Sequence, residues 1–461
     1  MKAGPVSVKD LKEVKYRFDP SYHINEGQLV KALLSKSPYG LQPISSVSNN
    51  IFYGGRAKRI YVASRNFGIP FLSSSDILQN DVENVKLVSK KYTVGIEEMR
   101  LQRGWTLVSR SGTIGNCAFV DGRLADKLAS EHVMRVCPNS STKEGLLYAY
   151  LASNYGHTLL TQGSFGAVIQ HIEPDFIGKL PIPNFPDSFQ KEVDDLVQQS
   201  ATLREQATAK LDEAKKMLAS FVNVSFDKKM FKTEKVTSKD ILESLQYRLD
   251  PPAHINDGVK TMEEVATRFI CKKVGNIDAK VYRPGIFKRN YVANGIPYIK
   301  GSEIFLTNPF RRCEQLSRTR TPFIEEMTLS EGQILMTCAG SVGDVKMITK
   351  EYQEKQAIGS QDIIRIESHD ELFTREYLFT YFQLPFVYDY IQSMKYGSVI
   401  ERIEPFHVES IPVIQPTKVV SDSISDLVKE YMNYTYRAFC AEEKAITMVE
   451  EEIEKWQSPT A

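Results

Sequence analysis

The chain is written twice. Tyr16-Arg17-Phe18-Asp19-Pro20 returns as Tyr247-Arg248-Leu249-Asp250-Pro251, 231 residues later in a chain of 461. The correspondence continues along both halves. Lys58-Arg59-Ile60-Tyr61-Val62-Ala63 matches Lys288-Arg289-Asn290-Tyr291-Val292-Ala293, and Gly112-Thr113-Ile114-Gly115-Asn116 matches Gly340-Ser341-Val342-Gly343-Asp344. Gly166-Ala167-Val168-Ile169-Gln170-His171-Ile172-Glu173-Pro174 matches Gly397-Ser398-Val399-Ile400-Glu401-Arg402-Ile403-Glu404-Pro405. Two copies are too few for a solenoid, which needs at least three stacked units. Each half is large enough to bury a core of its own. Two similar domains related by a pseudo-twofold are therefore expected, a plan suited to a partner that itself has two halves.

Each copy reads as a mixed α/β globular part followed by a long helix. Short β-prone runs, such as Thr106 to Val108, Val133 to Val136 and Ile363 to Ile366, are separated by Gly, Asn and Pro turn signals. Ser188 to Phe221 then carries Val193, Leu196, Ser200, Leu203, Ala207, Leu211, Ala214 and Leu218 at alternating steps of three and four, with no Pro or Gly. Ser421 to Trp456 carries a similar stripe through Ile424, Leu427, Tyr431, Tyr434, Ala438 and Ala441. A stripe on so polar a helix must be covered. The twofold makes each helix the natural cover for the other, as an antiparallel coiled coil. The expected class is α+β. Its domains are residues 1–186, helix 187–223, residues 224–420 and helix 421–457. A helical rod with a head at each end would span about one to one and a half turns of B-DNA, since a turn is roughly 34–36 Å.

Net charge is +1, so total charge does not argue for nucleic acid. Its distribution does. Between Gly54 and Ser75 the ionisable residues are Arg56, Lys58, Arg59 and Arg65. From Arg268 to Lys300, eight Lys/Arg stand against Asp278 alone. A basic segment recurring in both halves with interleaved aromatics is the footprint of a polyanion partner. Lys58, Arg59, Tyr61, Lys288, Arg289 and Tyr291 match between copies and suit sequence-independent phosphate contact. Polar positions that differ inside matched loops are where two similar domains would read different bases. These candidates are Ser73, Ser74, Arg110, Ser111, His132 and Gln170 in the first copy. In the second they are Lys300, Ser341, Gln361 and Arg402. Solvated surface or support of the fold is the competing account of each.

Catalytic signals are lacking. Asp250-Pro251-Pro252-Ala253 falls short of the Asp-Pro-Pro-aromatic loop of amino-methyltransferases, and the first copy reads Asp19-Pro20-Ser21-Tyr22. The glycine turns lack the Lys-Ser/Thr of a phosphate-binding loop. The seven histidines have no metal-ligand spacing, and the six cysteines include no Cys-x-x-Cys pair. No apolar run is long enough for a membrane span, and the opening Met1-Lys2-Ala3-Gly4-Pro5 has no apolar signal core. The expectation is a chain without catalytic or metal residues, in a reducing compartment, with no membrane partner. A non-catalytic adaptor bridging two proteins is the alternative to a DNA reader.

The order of loop patterns resembles the specificity subunit of type I restriction–modification enzymes. The patterns are Gly68-Ile69-Pro70 leading to Ser75-Asp76-Ile77; Gly104-x-x-Leu107-x-Ser109-x-x-Gly112-x-Ile114-Gly115; Gly295-Ile296-Pro297 leading to Ser302-Glu303-Ile304; and Ser360-Gln361-Asp362-Ile363-Ile364-Arg365-Ile366. The resemblance implies two target-recognition domains, each reading half of a bipartite, asymmetric site on double-stranded DNA. The helices would act as ruler and docking rod. Two modification subunits would supply S-adenosylmethionine chemistry, and restriction subunits an ATP- and Mg-dependent motor and nuclease, in a prokaryotic cytoplasm. This chain would hold no cofactor. One departure stands out: the family's Pro-x-x-x-Glu-Gln opening of the long helix is Pro186-Asp187-Ser188-Phe189-Gln190 here, and Pro416-Thr417-Lys418-Val419-Val420 in the second copy.

Overall fold

Alternation of apolar side chains and tight glycine turns produces the same sheet in each half. The computed structural model describes residues 26–56, 58–162, 171–226 and 235–457. The first copy's opening motif at 16–25 and Gln170 lie outside them. In the first half, Ser48–Tyr53, Val133–Pro138, Thr106–Ser109 and Cys117–Phe119 form a four-stranded antiparallel sheet in that spatial order. In the second, Ala279–Tyr282, Ile363–Ser368, Ile334–Thr337 and Val345–Met347 form a sheet of the same order and sense. The turn joining the last two strands in that spatial order needs left-handed backbone at two positions. Gly112 and Gly115 each have φ of +80°, and Gly340 and Gly343 have +75° and +92°.

A smaller sheet accompanies each. Tyr61–Val62, Leu87–Ser89, Gly68–Leu72 and Leu128–Ala129 make the first, its last pair parallel. Glu314–Leu316, Tyr291–Ile299 and Ile358–Gly359 make the second, again closed by a parallel pair. Three residues, 130–132 or 360–362, carry the chain from the small sheet into the large one. They sit where strands of both sheets end; Ser130, Glu131, Ser360 and Gln361 are buried there, and His132 and Asp362 are the more exposed.

The long helices span Asp187–Val222 and Lys418–Glu454. The chain divides into two compact units, Met1–Glu205 with Arg437–Ala461, and Gln206–Tyr436. The division falls inside both helices rather than at their ends. In the first unit, Val193, Val197 and Ala201 share a core with Ala445, Ile446, Val449, Ile453 and Trp456, and with Leu146, Leu147 and Tyr150 of the globular part. In the second, Ala207, Ala214 and Leu218 share one with Ile424, Val428 and Tyr431, and Lys210 Nζ pairs with Glu430 at 2.8 Å. Each stripe is thus buried by helix and globular part together, as its period demands. No described helix is long and apolar enough to cross a membrane. The six cysteines are all free thiols.

Candidate nucleic-acid interface

In the first unit the loops that follow Leu72 and Ser109 and the loop that precedes Val133 meet at one end of the sheets. The amide of Ser130 donates to Leu72 O at 2.9 Å, and that of Arg110 donates to His132 O at 2.9 Å. Ser109 Oγ donates to Ser74 O at 3.1 Å. Ser111 Oγ lies 2.6 Å from His132 Nδ1, and the His132 and His171 rings stack at 6.4 Å. Ser73 Oγ accepts from the Asp76 amide while Asp76 accepts from the Ser73 amide, which ties this loop to the first residue of the short 3-10 turn Asp76–Leu78. Ser73, Ser74, Arg110, Ser111 and His132 are therefore brought together.

Their roles divide. The Arg110 guanidinium lies 4.0 Å over the Tyr53 ring, and donates to Ile172 O at 3.0 Å and to Glu173 at 2.5 Å. It is spent on holding the 172–173 segment to the sheet. Ser111 is buried, whereas the His132 side chain keeps 37 % of its surface. Burial pushes the His132 imidazole below its ordinary value, and the Arg59 cation adds to this against the opposing pull of Glu131. A neutral imidazole held by a hydroxyl can donate or accept at a base edge. An imidazole NMR titration should place the His132 midpoint below 6.5. Arg59→Ala should move it upward, because the lowering cation goes while Glu131 stays.

The second unit repeats the convergence with different side chains. Ser360 N donates to Ile299 O at 2.9 Å, placing Lys300 beside the 360–362 loop. Cys338 N donates to Asp362 O at 3.5 Å, and Gly340 N to Glu401 O at 3.3 Å. Ala339 and Tyr396 each bridge Arg402. Lys300, Ser341, Gln361 and Arg402 thus share one end of the sheet. Ser341 is exposed and Arg402 half-buried. Gln361 is 7 % exposed and bonds Asp362 at 3.1 Å. Lys300 Nζ pairs with Glu314 at 2.8 Å, which raises its ammonium above the ordinary lysine value.

The matched basic residues separate into two kinds. Lys58 and Lys288 are exposed, as are the rings of Tyr61 and Tyr291. Arg59 and Arg289 turn inward. Arg59 binds Glu131, and Arg289 donates to Gln361 at 3.1 Å and to Tyr298 Oη at 2.8 Å. Each arginine fixes an acceptor 72 residues further along the chain. This geometry gives them a positioning task toward the 130–132 and 360–362 loops. Further cations that the sequence did not single out complete the basic surface. Lys90 and Lys91 in one copy, and Arg318 and Arg320 in the other, are exposed. They sit on turns tied to the basic segments by Ser89 N to Ile60 O at 2.8 Å and Ser317 N to Asn290 O at 2.9 Å.

A fully buried arginine underlies each of the 130–132 and 360–362 loops. Arg135 donates to Met99 O, Ala129 O, Ser130 O and Val133 O at 3.1, 2.6, 3.1 and 2.7 Å. Arg365 donates to Met327 O, Gly359 O, Ser360 O and Ile363 O at 3.4, 2.9, 3.3 and 2.9 Å. Burial pushes both guanidinium groups down to about 10, which leaves them charged at neutral pH. Among the described residues no group of three His, Cys, Asp or Glu is arranged to hold a metal ion.

This end of each unit is an irregular surface of hydrogen-bonded loops beside a basic strip. Residues 272–436 match the family model described as the type I restriction modification DNA specificity domain. That segment, which contains the second set of converging loops, is similar to this domain. Solved structures similar to the chain include the type I restriction–modification S subunit from M. genitalium, at 11% identity and TM-score 0.34 over 92% of this chain and 96% of that one. The HsdS subunit from Thermoanaerobacter tengcongensis is 11% identical, with TM-score 0.28 over 90% and 97%. A structure reported on complex assembly and conformational transition of the type I R-M system is 12% identical, with TM-score 0.27 over 91% and 97%. No curated protein is detectably similar in sequence. The family model over residues 272–436 names the same kind of domain that the loop patterns resemble.

Proposed function

We propose that this chain is the DNA specificity subunit of a type I restriction–modification complex, itself without catalytic residues. The loops around Ser111 and His132 read one half of a bipartite, asymmetric site, and those around Gln361, Ser341 and Arg402 read the other. The long helices pair as an antiparallel coiled coil that sets the number of unread base pairs and docks two modification subunits. S-adenosylmethionine would be bound there, and ATP and Mg on restriction subunits. The observation that carries this reading is the coincidence of the family segment 272–436 with the loops that gather the differing polar residues. Sequencing of methylated DNA from cells expressing the chain with a modification subunit, and from cells with that subunit alone, tests it. A new interrupted methyladenine motif is the expected result, and exchange of residues 1–186 should alter one half of it. A stable complex that writes no motif would favour a protein adaptor instead.

The exposed lysines make a separate prediction. Each phosphate contact releases condensed counterions, so log K falls with log salt by about 0.9 per contact. Lys58→Ala and Lys288→Ala should each reduce that slope by about one and weaken all sequences alike. A fluorescence-anisotropy series over salt would show it, and unchanged slopes would remove both residues from the phosphate surface.

A further inference from the structure

The hairpin at 396–402 ends in the most exposed large apolar side chain described in the molecule, Val399 at 94%, followed by Ile400 at 54%. Both are β-branched and stiff at the first side-chain torsion. The hairpin beneath them is held firmly. Tyr396 and Arg402 exchange backbone hydrogen bonds at 3.1 and 2.9 Å, and Lys395 Nζ pairs with Glu401 at 2.5 Å across the neck. Tyr396 Oη donates to Glu404 at 2.9 Å, and its ring stacks on His407 at 5.6 Å. Gly397 has φ of +99°, and a Cβ there would lie 2.6 Å from Ile400 O. Only glycine lets the loop close this tightly. The neck is also sewn to the reading loops through Gly340 N to Glu401 O and Ile403 N to Cys338 O, at 3.3 and 3.0 Å.

We propose that Val399 is a base-reading residue of the second unit, making apolar contact with a thymine methyl group in the major groove. A lone exposed valine is ordinary on a protein surface. This one stands on a preorganised hairpin, so it approaches a partner without ordering cost, and the neck of that hairpin includes Arg402 and is hydrogen-bonded to Gly340, next to Ser341. The thymine C5-methyl is the apolar feature a base pair presents in that groove. Of the two exposed apolar side chains on the hairpin, Val399 is the more exposed, at 94% against 54% for Ile400, and an apolar group is what makes contact with that methyl.

The inference rests on the DNA-reading function, and its test separates the two. The complex with its modification subunits is assembled with wild-type chain or with Val399→Ser. Binding is measured on duplexes carrying the methylated motif, with each thymine of the second unit's half-site replaced in turn by uracil. For wild type, one replacement should weaken binding about three- to fivefold, the value of one buried methyl. Val399→Ser should weaken binding to the thymine duplex by a similar factor and be indifferent to that replacement. A wild-type complex that prefers no duplex overturns the DNA-reading function and the assignment with it. A selective wild type whose methyl sensitivity survives Val399→Ser overturns the assignment alone. Loss of modification-subunit assembly in Val399→Ser, with unchanged methyl discrimination, overturns it in favour of a protein contact.

Discussion

Replacing Arg365 by methionine is expected to destabilise the second unit by about 3–5 kcal/mol, the cost of leaving several buried carbonyls without their donor. Methionine fills a similar volume without donors, so the carbonyls of Met327, Gly359, Ser360 and Ile363 lose the guanidinium that pairs them. Each buried acceptor left bare costs on the order of 1–3 kcal/mol before relaxation. Two of the four acceptors, Gly359 and Ser360, lead into Gln361, so the loss reaches the 360–362 loop directly. Arg135→Met should do the same to the loop carrying Glu131 and His132. Lysine should rescue only in part, because a compact ammonium cannot reach four acceptors spread around a planar fork. Urea unfolding measures the first effect. Amide exchange at residues 359–363 in the folded variant measures the second, and should rise well beyond the wild-type rate. Wild-type midpoints with unchanged exchange would show that the arginine does not hold the loop.

The sequence made the two-copy plan and the two long helices legible because both are patterns of spacing. Gly112, Gly115, Gly340 and Gly343 announced their turns for the same reason: left-handed backbone leaves a mark on residue type. What depends on partners far along the chain was not legible. Arg59 and Arg289 read as phosphate contacts from a basic segment, yet their acceptors lie 72 residues away and come near only through the sheet order. Arg135 and Arg365 passed as members of β-prone runs, because arginine is rarely buried whole. A signal was present: both stand at matched positions between apolar neighbours, Val133-Met134-Arg135-Val136 and Ile363-Ile364-Arg365-Ile366. Boundaries drawn at the helix ends follow helical period. The compact units are instead set by which globular part covers each half of a helix. Trp456, for example, joins Phe185 at 6.1 Å and Tyr39 at 6.1 Å in the first unit.

Glu442→Leu, as a single change, should lower the stability of the first unit by about 3–5 kcal/mol, because it leaves a buried guanidinium without its counter-charge. Arg204 donates to both Glu442 oxygens at 3.0 and 2.9 Å, and Tyr148 Oη donates to the same carboxylate at 2.6 Å. All three side chains are buried. Burial alone would lower the Arg204 pKa, but Glu442 more than offsets it and holds the group above the ordinary arginine range. Burial, followed by the Glu442 charge, likewise raises the Tyr148 phenol. The repeat supplies its own control. Displaced by 231 residues, the equivalents of Tyr148 and Arg204 are Phe379 and Thr435, and the residue equivalent to Glu442 in the first copy is Leu211. There Leu211 packs against an apolar core, and Phe379 stacks on Tyr431 at 6.1 Å. The triple replacement Tyr148→Phe, Arg204→Thr, Glu442→Leu imports that apolar solution. It should recover most of the stability lost in the single variant, since well-packed apolar substitutes for a buried ion pair are often neutral or stabilising. Calorimetry should show a fall on the order of 10 °C for the single variant and a return toward wild type for the triple. A triple variant no more stable than Glu442→Leu would show that the ion pair itself is needed to seat these helix segments. In that case the two copies of one duplicated sequence close their helices by different physics.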